Sequence, residues 1–260
     1  MIRRRTGDDP SYDRGVRWLL VLAVGGCGFS PATANLPITD GSIHDVATDV
    51  IVDGSPIPIT YVQGNVATSA GTNVVTLAAS FAGPQTAGNL DILVISMYAN
   101  ANPVVSVVDL DGNTYASLGF SSRNTLAQAA YYAPNIHGGS ANVVTVTFGA
   151  GGVSQPELRI AEYSGIAADP YETSNIATGT SATSDSGPIT TLYPHDLIVG
   201  ANTVSQLTTG PGSLFTKRVI IQGDLLEDRE VFAAGVYHAT APINTDADWN
   251  MLVAAFEGAR

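Results

Sequence analysis

The chain is predicted to fold as an all-β protein, an antiparallel two-sheet sandwich of jelly-roll type. Three observations predict it. Beyond residue 58 the sequence is a series of short apolar runs separated by Gly, Pro, Asn, Asp and Ser, the pattern of many short strands and tight connections. Val144, Val146 and Phe148 alternate with Thr145 and Thr147, the period of two of a half-buried strand. No segment carries a sustained helical period.

The elements follow in order. Residues 1–26 read as an export signal. Arg3, Arg4, Arg5, Arg14 and Arg17 precede the apolar run Trp18 to Val24, which closes on Gly25-Gly26 before Cys27. That run is far short of the roughly 20 residues of a membrane-spanning helix. Residues 27–57 read as an acidic linker. Pro31, Pro37, Pro56 and Pro58 interrupt structure around it, and Asp40, Asp45, Asp49 and Asp53 keep it solvated. Residues 58–260 form the sandwich domain. Its expected strands are Ile59 to Gln63, Val74 to Phe81, Ile92 to Tyr98, Val104 to Asp109, Thr114 to Leu118 and Leu126 to Tyr132. Val143 to Phe148 and Leu158 to Tyr163 follow. After a loop-rich stretch come Leu197 to Thr203, Phe215 to Gln222, Val231 to Tyr237 and Trp249 to Phe256. Asp111-Gly112-Asn113 reads as a hairpin turn, because Gly and Asn tolerate the positive φ that a tight turn requires. Asp91-Ile92-Leu93-Val94 is echoed by Asp196-Leu197-Ile198-Val199 at an offset of 105, which also carries Ala129 to Ala234 and Tyr132 to Tyr237. Duplication of a half-sandwich and convergence of similar hairpins both account for this echo.

Composition bounds the partners. Charged residues make up 13% of the chain, about half the usual ~25%. Lys217 is the single lysine, and the net charge is −12. Binding to nucleic acid requires a basic patch that displaces counterions, so nucleic acid is excluded as a partner. Anionic membrane surfaces are disfavoured for the same reason. Cys27 is the only cysteine, so no internal disulfide supports the fold.

Two resemblances add to this reading. Val24-Gly25-Gly26-Cys27 resembles the lipobox of bacterial lipoproteins, which implies lipidation of Cys27 and membrane contact through that anchor alone. A second resemblance runs through Asn89 to Val94, Asp111 to Tyr115, Tyr131 to Ile136, Val143 to Phe148 and Glu162 to Gly165. In that order these segments resemble a group of extracellular bacterial β-sandwich modules with no established activity. The resemblance spans residues 59–256 and implies a fold and an exported location, with no catalytic residue.

Sites of chemistry are sparse. No Gly-x-Ser-x-Gly elbow occurs, and His44, His137, His195 and His238 lack metal-ligand spacing and read as loop or surface residues. Carboxylate pairs suited to glycoside hydrolysis could be drawn from Glu157 and Glu162, or from Asp228 and Glu230. Asp228-Arg229-Glu230 reads more simply as a solvated charge cluster. Glu162 shares a strand face with Leu158 and Ile160 and points inward, where it is expected to accept backbone N–H groups of the turn Tyr163-Ser164-Gly165. Asp109, Asp111 and Asn113 offer alternate oxygens of the kind calcium loops use. Tyr98, Tyr115, Tyr131, Tyr132 and Tyr237 are candidates for a sugar platform. The expectation is a non-enzymatic exported surface module serving envelope structure or binding, with a glycan or surface protein as partner. Its alternatives are a carbohydrate-binding module, calcium-assisted or not, and a hydrolase whose site is not recognisable.

Overall fold

The computed structural model describes residues 54–140 and 142–260, and every regular element among them is a strand. Eight strands make up the first part: β1 (Thr60–Thr68), β2 (Thr76–Ser80), β3 (Leu90–Tyr98), β4 (Val104–Asp109), β5 (Ala116–Arg123), β6 (Leu126–Ala133), β7 (Val143–Phe148) and β8 (Ser154–Ser164). Seven follow: β9 (Ile166–Asp185), β10 (Ile189–Thr190), β11 (Asp196–Val204), β12 (Thr216–Ile221), β13 (Asp224–Val231), β14 (Val236–Tyr237) and β15 (Thr240–Gly258). All pairings are antiparallel.

The strands form four sheets where two were expected, and the reason is an internal repeat. One five-stranded sheet runs β1-β8-β3-β6-β5, and the other runs β9-β15-β11-β13-β12 in the same connectivity. Each has a smaller companion, β2-β7-β4 and β10-β14. The sequence carries the match where the topology directs the eye. Tyr61, Asn65, Ala67 and Thr68 of β1 align with Tyr171, Asn175, Ala177 and Thr178 of β9. Leu158-Arg159-Ile160-Ala161-Glu162-Tyr163-Ser164-Gly165 aligns with Met251-Leu252-Val253-Ala254-Ala255-Phe256-Glu257-Gly258. Equivalent hairpins, β5–β6 and β12–β13, are closed by a two-residue turn at positive φ, Asn124-Thr125 in one and Gln222-Gly223 in the other, the primed geometry that suits strand twist. The 105-residue echo does locate the equivalent central strands β3 and β11. It fails for Ala129 and Tyr132, which lie in β6, whose counterpart is β13 and not the segment holding Ala234 and Tyr237. Connections of unequal length break any single offset.

The two five-stranded sheets pack face to face. Leu90, Ile92 and Val94 meet Leu197, Val199, Leu252, Ala254 and Phe256 in the seam between the repeats. The opposite face of β3, with Leu93, Ile95 and Met97, packs on Val144, Val146 and Phe148 of the small sheet. Ile198, Met251 and Val253 do the same above Ile189. Central strands therefore bury both faces, and β3 and β11 read as nearly continuous apolar runs. On β7 the expected alternation holds: Val144, Val146 and Phe148 are buried while Thr145 and Thr147 are half-buried.

Three local expectations are corrected. Asp111-Gly112-Asn113 does not turn a hairpin, since β4 pairs with β7 and β5 with β6. The positive φ of Gly112 instead serves a corner by which the chain changes sheets. The loop-rich stretch contains β9, a twenty-residue edge strand of small polar residues held by β15. Asp228-Arg229-Glu230 is not a solvated cluster but part of β13, a strand paired on both sides.

Candidate functional site

A cleft lies at the seam, between the edge strands β1 and β12. Its volume is about 410 Å³, and Ile59, Tyr61, Tyr163, Leu214, Arg218 and Asp228 are among its walls. A second hollow of about 190 Å³ shares Tyr61 and Arg218 and continues past Asn65 and Val219. Together they make a groove that follows the strand direction. Each edge strand carries a register shift at the groove, between Tyr61 and Gln63 on β1 and between Lys217 and Val219 on β12. Bulges increase twist and re-aim side chains. Here they accompany a direct meeting across the seam, with the Arg218 guanidinium 4.5 Å above the Tyr61 ring.

Charges in the groove are held firmly. Arg218 donates to Asp228 through Nε and through Nη2, the latter at 2.9 Å. Tyr163 donates its hydroxyl to Asp228 Oδ2 at 2.8 Å, and its ring meets Tyr61 edge-on at 5.6 Å. Such a bidentate pair fixes both partners. The Asp228 bonds use Nε and Nη2 while the guanidinium face lies on Tyr61. Glu230 Oε1 accepts from the backbone N–H of Ile59 at 3.0 Å and lies 2.8 Å from His195 Nε2. His195 lies in the loop before β11, as expected, but it is buried and not at the surface, stacked on Phe232 with ring centres 5.2 Å apart.

The rim has one unusual residue. Leu214 is 73% exposed and sits at a φ of 68°. It is the third residue of a turn closed by Phe215 N–H donating to Gly212 O, a place where positive φ normally selects Gly or Asn. A bulky residue in that region is strained.

The residues singled out from the sequence fall elsewhere. Glu162 is inward and fully buried, as expected, but its partners differ. It accepts from Gln63 Nε2 at 2.6 Å, Asn89 Nδ2 at 2.5 Å and Thr86 N–H at 3.1 Å. Strand alternation points it away from its own turn, whose backbone is engaged otherwise: Ser164 pairs with Thr60, and Gly165 O accepts Ala259 N–H. Gly165 does make the turn after β8, with a φ of 77° and a Cβ position that would lie 2.3 Å from Pro58 O. Asp109 and Asn113 are bonded to each other. The Asp109 carboxylate takes Asn113 N–H and Nδ2, Tyr115 OH and Asn142 Nδ2, which together hold it below the usual carboxylate range against the opposing effect of burial. Asn113 Oδ1 accepts His137 N–H at 2.7 Å, and Asp111 packs against Gly139. Of the tyrosines, Tyr98 is exposed, Tyr131 and Tyr237 pack on cores, and Tyr132 stacks on Tyr171 at 5.2 Å. They form no row. Cys27 lies outside the described residues.

Glu157 belongs to a separate, small cavity of about 70 Å³ at the seam, which Asp224, Ser96 and Thr203 also line. Arg159 stands beside it, with Nε 3.1 Å from Glu157 and Nη2 3.8 Å from Asp224. That volume is far below the roughly 300–1,000 Å³ of ligand pockets.

Fold and groove together define a tandem-repeat β-sandwich protein with an apolar seam between its repeats and an open, polar groove at the edge of that seam. Compared with protein-family models, curated proteins and solved structures, the chain gives no match.

Proposed function

We propose that the protein is a non-enzymatic module, exported to the bacterial envelope or exterior, that works by binding through the β1–β12 groove. The observation that carries this reading is the state of the groove's carboxylates. Both oxygens of Asp228 are taken by Arg218 and Tyr163. Glycoside hydrolysis needs one carboxyl to deliver a proton and another to attack or activate water, and Asp228 is free for neither. Each repeat is read as a jelly roll, because its first strand pairs with its last, which pairs with its third, which pairs with the sixth in the first repeat and the fifth in the second.

The test of the groove is co-sedimentation of the full chain with washed bacterial envelopes, using Thr216→Trp as a plug. Thr216 is an exposed edge-strand residue lining the cleft, so the fold should tolerate the change within about 0.5 kcal/mol. Binding by the parent that falls at least tenfold in the variant supports the reading. Equal binding by both refutes it.

Location rests on Cys27 and the small residues before it. Cys27→Ala is expected to abolish lipid labelling and release the protein from membranes; a variant that still fractionates with membranes removes the anchor. Calcium at the Asp109 corner would have to displace the donors already on that carboxylate, so melting in calcium and in chelator is expected to coincide. A calcium-induced rise in melting temperature, lost in Asp109→Ala/Asp111→Ala, would instead establish the calcium-assisted alternative.

A further inference from the structure

We infer that the groove takes an uncharged, extended oligosaccharide and that Leu214 is one of its contact residues; this rests on the reading of the groove as a binding site. Three observations select the ligand.

The first is shape. Leu214, Thr216, Arg218 and Val219 line the two hollows along one strand direction. At about 3.3 Å per residue the strand part, Thr216 to Val219, spans roughly 10 Å, and Leu214 in the preceding turn extends the lining beyond it, more than a single small metabolite requires. A chain ligand is indicated.

The second is the edge chemistry. An extended peptide would bind by adding a strand to β1 or β12. Both edges carry register shifts at the groove, which interrupt the even ladder that strand addition needs. The groove presents side chains where a peptide would require backbone. Anionic ligands are opposed as well. The cleft's own charges cancel, Arg218 and Arg229 against Asp228 and Glu230, so it offers no net positive charge, and the whole chain is at −12. What remains on offer is side-chain hydroxyl, such as that of Thr216, beside the apolar surfaces of Ile59, Tyr61 and Leu214. Hydroxyls match sugar hydroxyls, and apolar side chains match the C–H faces of the ring.

The third is Leu214 itself. Nothing in the packing calls for a leucine there: it is largely exposed, and its backbone lies in the left-handed region. Glycine would fit that turn without strain. A large apolar side chain held out at the groove mouth against a backbone cost is the mark of a contact made with something outside the fold.

The experiment follows from that conflict. Isothermal titration of the full chain is run with cellohexaose, xylohexaose, laminarihexaose and chitohexaose, and with oligogalacturonate as the charged control. Leu214→Gly is measured beside the parent for affinity and for melting. At least one neutral hexasaccharide is expected to bind, and Leu214→Gly is expected to weaken it tenfold or more. The same change should raise the melting temperature by about 2–4 °C as the strain is relieved. Absence of binding by every neutral hexasaccharide overturns the ligand class, as does preference for oligogalacturonate. Full affinity in Leu214→Gly overturns the role of Leu214. If hexasaccharides fail while envelope binding remains sensitive to Thr216→Trp, the groove stands and only its ligand class falls.

Discussion

Arg159→Met should lower stability by about 3–5 kcal/mol, the cost of breaking a buried ion pair from one side. For a domain of this size that is a fall of roughly 6–20 °C in melting temperature. Arg159 is wholly buried in the seam. It leaves β8 of the first repeat and reaches into the second, donating through Nη1 to the carbonyls of Asn202 at 2.8 Å and Leu225 at 2.6 Å. Nη2 donates to Ser96 Oγ at 2.6 Å. It also stands between Glu157 and Asp224. Truncation leaves two buried acids without a cation and two carbonyls without a donor. The counterpart of Arg159 in the second repeat is Leu252, which simply packs in the seam. The apolar choice at Arg159 therefore becomes tolerable only if the acids go too. Adding Glu157→Gln and Asp224→Asn to Arg159→Met should recover much of the loss in thermal melts. A single Arg159→Met variant within 1 kcal/mol of the parent would show that the network does not hold the repeats together.

Stability should fall as the pH rises from about 5 to 8.5. Asp91 is fully buried, and burial, reinforced by the charge of Glu162, pushes its carboxyl up to about 8. Burial likewise lifts Glu227 to about 7. Glu157 is raised by burial, with Arg159 opposing. Asp196 is raised by burial and by the neighbouring Glu172 carboxylate. In the unfolded chain all of these titrate near 4. Between that value and the folded one, the native state holds more protons than the unfolded state. Asp91 and Glu227 therefore each subtract up to about 1.4 kcal/mol per pH unit as pH rises through the window, and Glu157 and Asp196 act in the same direction. The opposite shift at Asp109 acts at the acid end: its contribution is lost as the pH falls through its depressed folded value. Melting curves should peak in mildly acidic buffer and drop by several degrees per pH unit above it. Asp91→Asn should flatten that slope, because an amide can keep the bond from Gln85 Nε2 and the contact with Tyr115 OH. A melting temperature that holds or rises from pH 5 to 8.5 contradicts the buried, protonated carboxyls.

The contrast between what the sequence showed and what it hid follows from the layers. Strands with one solvated face, such as β7, alternate cleanly and were legible to the residue, and Val104–Asp109 was too. Strand β13 was hidden because Asp224, Glu227 and Asp228 resemble a surface charge run until their partners are known, and those partners lie on other strands. Strand β9 was hidden because a surface edge of Ser, Thr and Ala has little apolar signal of its own. The groove was the least legible feature. Tyr61 and Arg218 are 157 residues apart in the chain, and neither bulge leaves a mark in the sequence. Leu214 offered the one local hint, a leucine in the Gly-rich run Gly210-Pro211-Gly212-Ser213. Glu162 was readable as inward from its strand face, but its donors Gln63 and Asn89 were not, because they come from other parts of the fold.

Backbone NMR of the full chain, titrated with the hexasaccharide that binds best, tests the groove most directly. The account predicts amide shifts concentrated in β1 around Tyr61, in β12 around Arg218 and in the Gly212–Phe215 turn. Shifts centred on Tyr98 and Leu126 at the small seam cavity, or on the Tyr132–Tyr171 stack, with the groove unmoved, would contradict it.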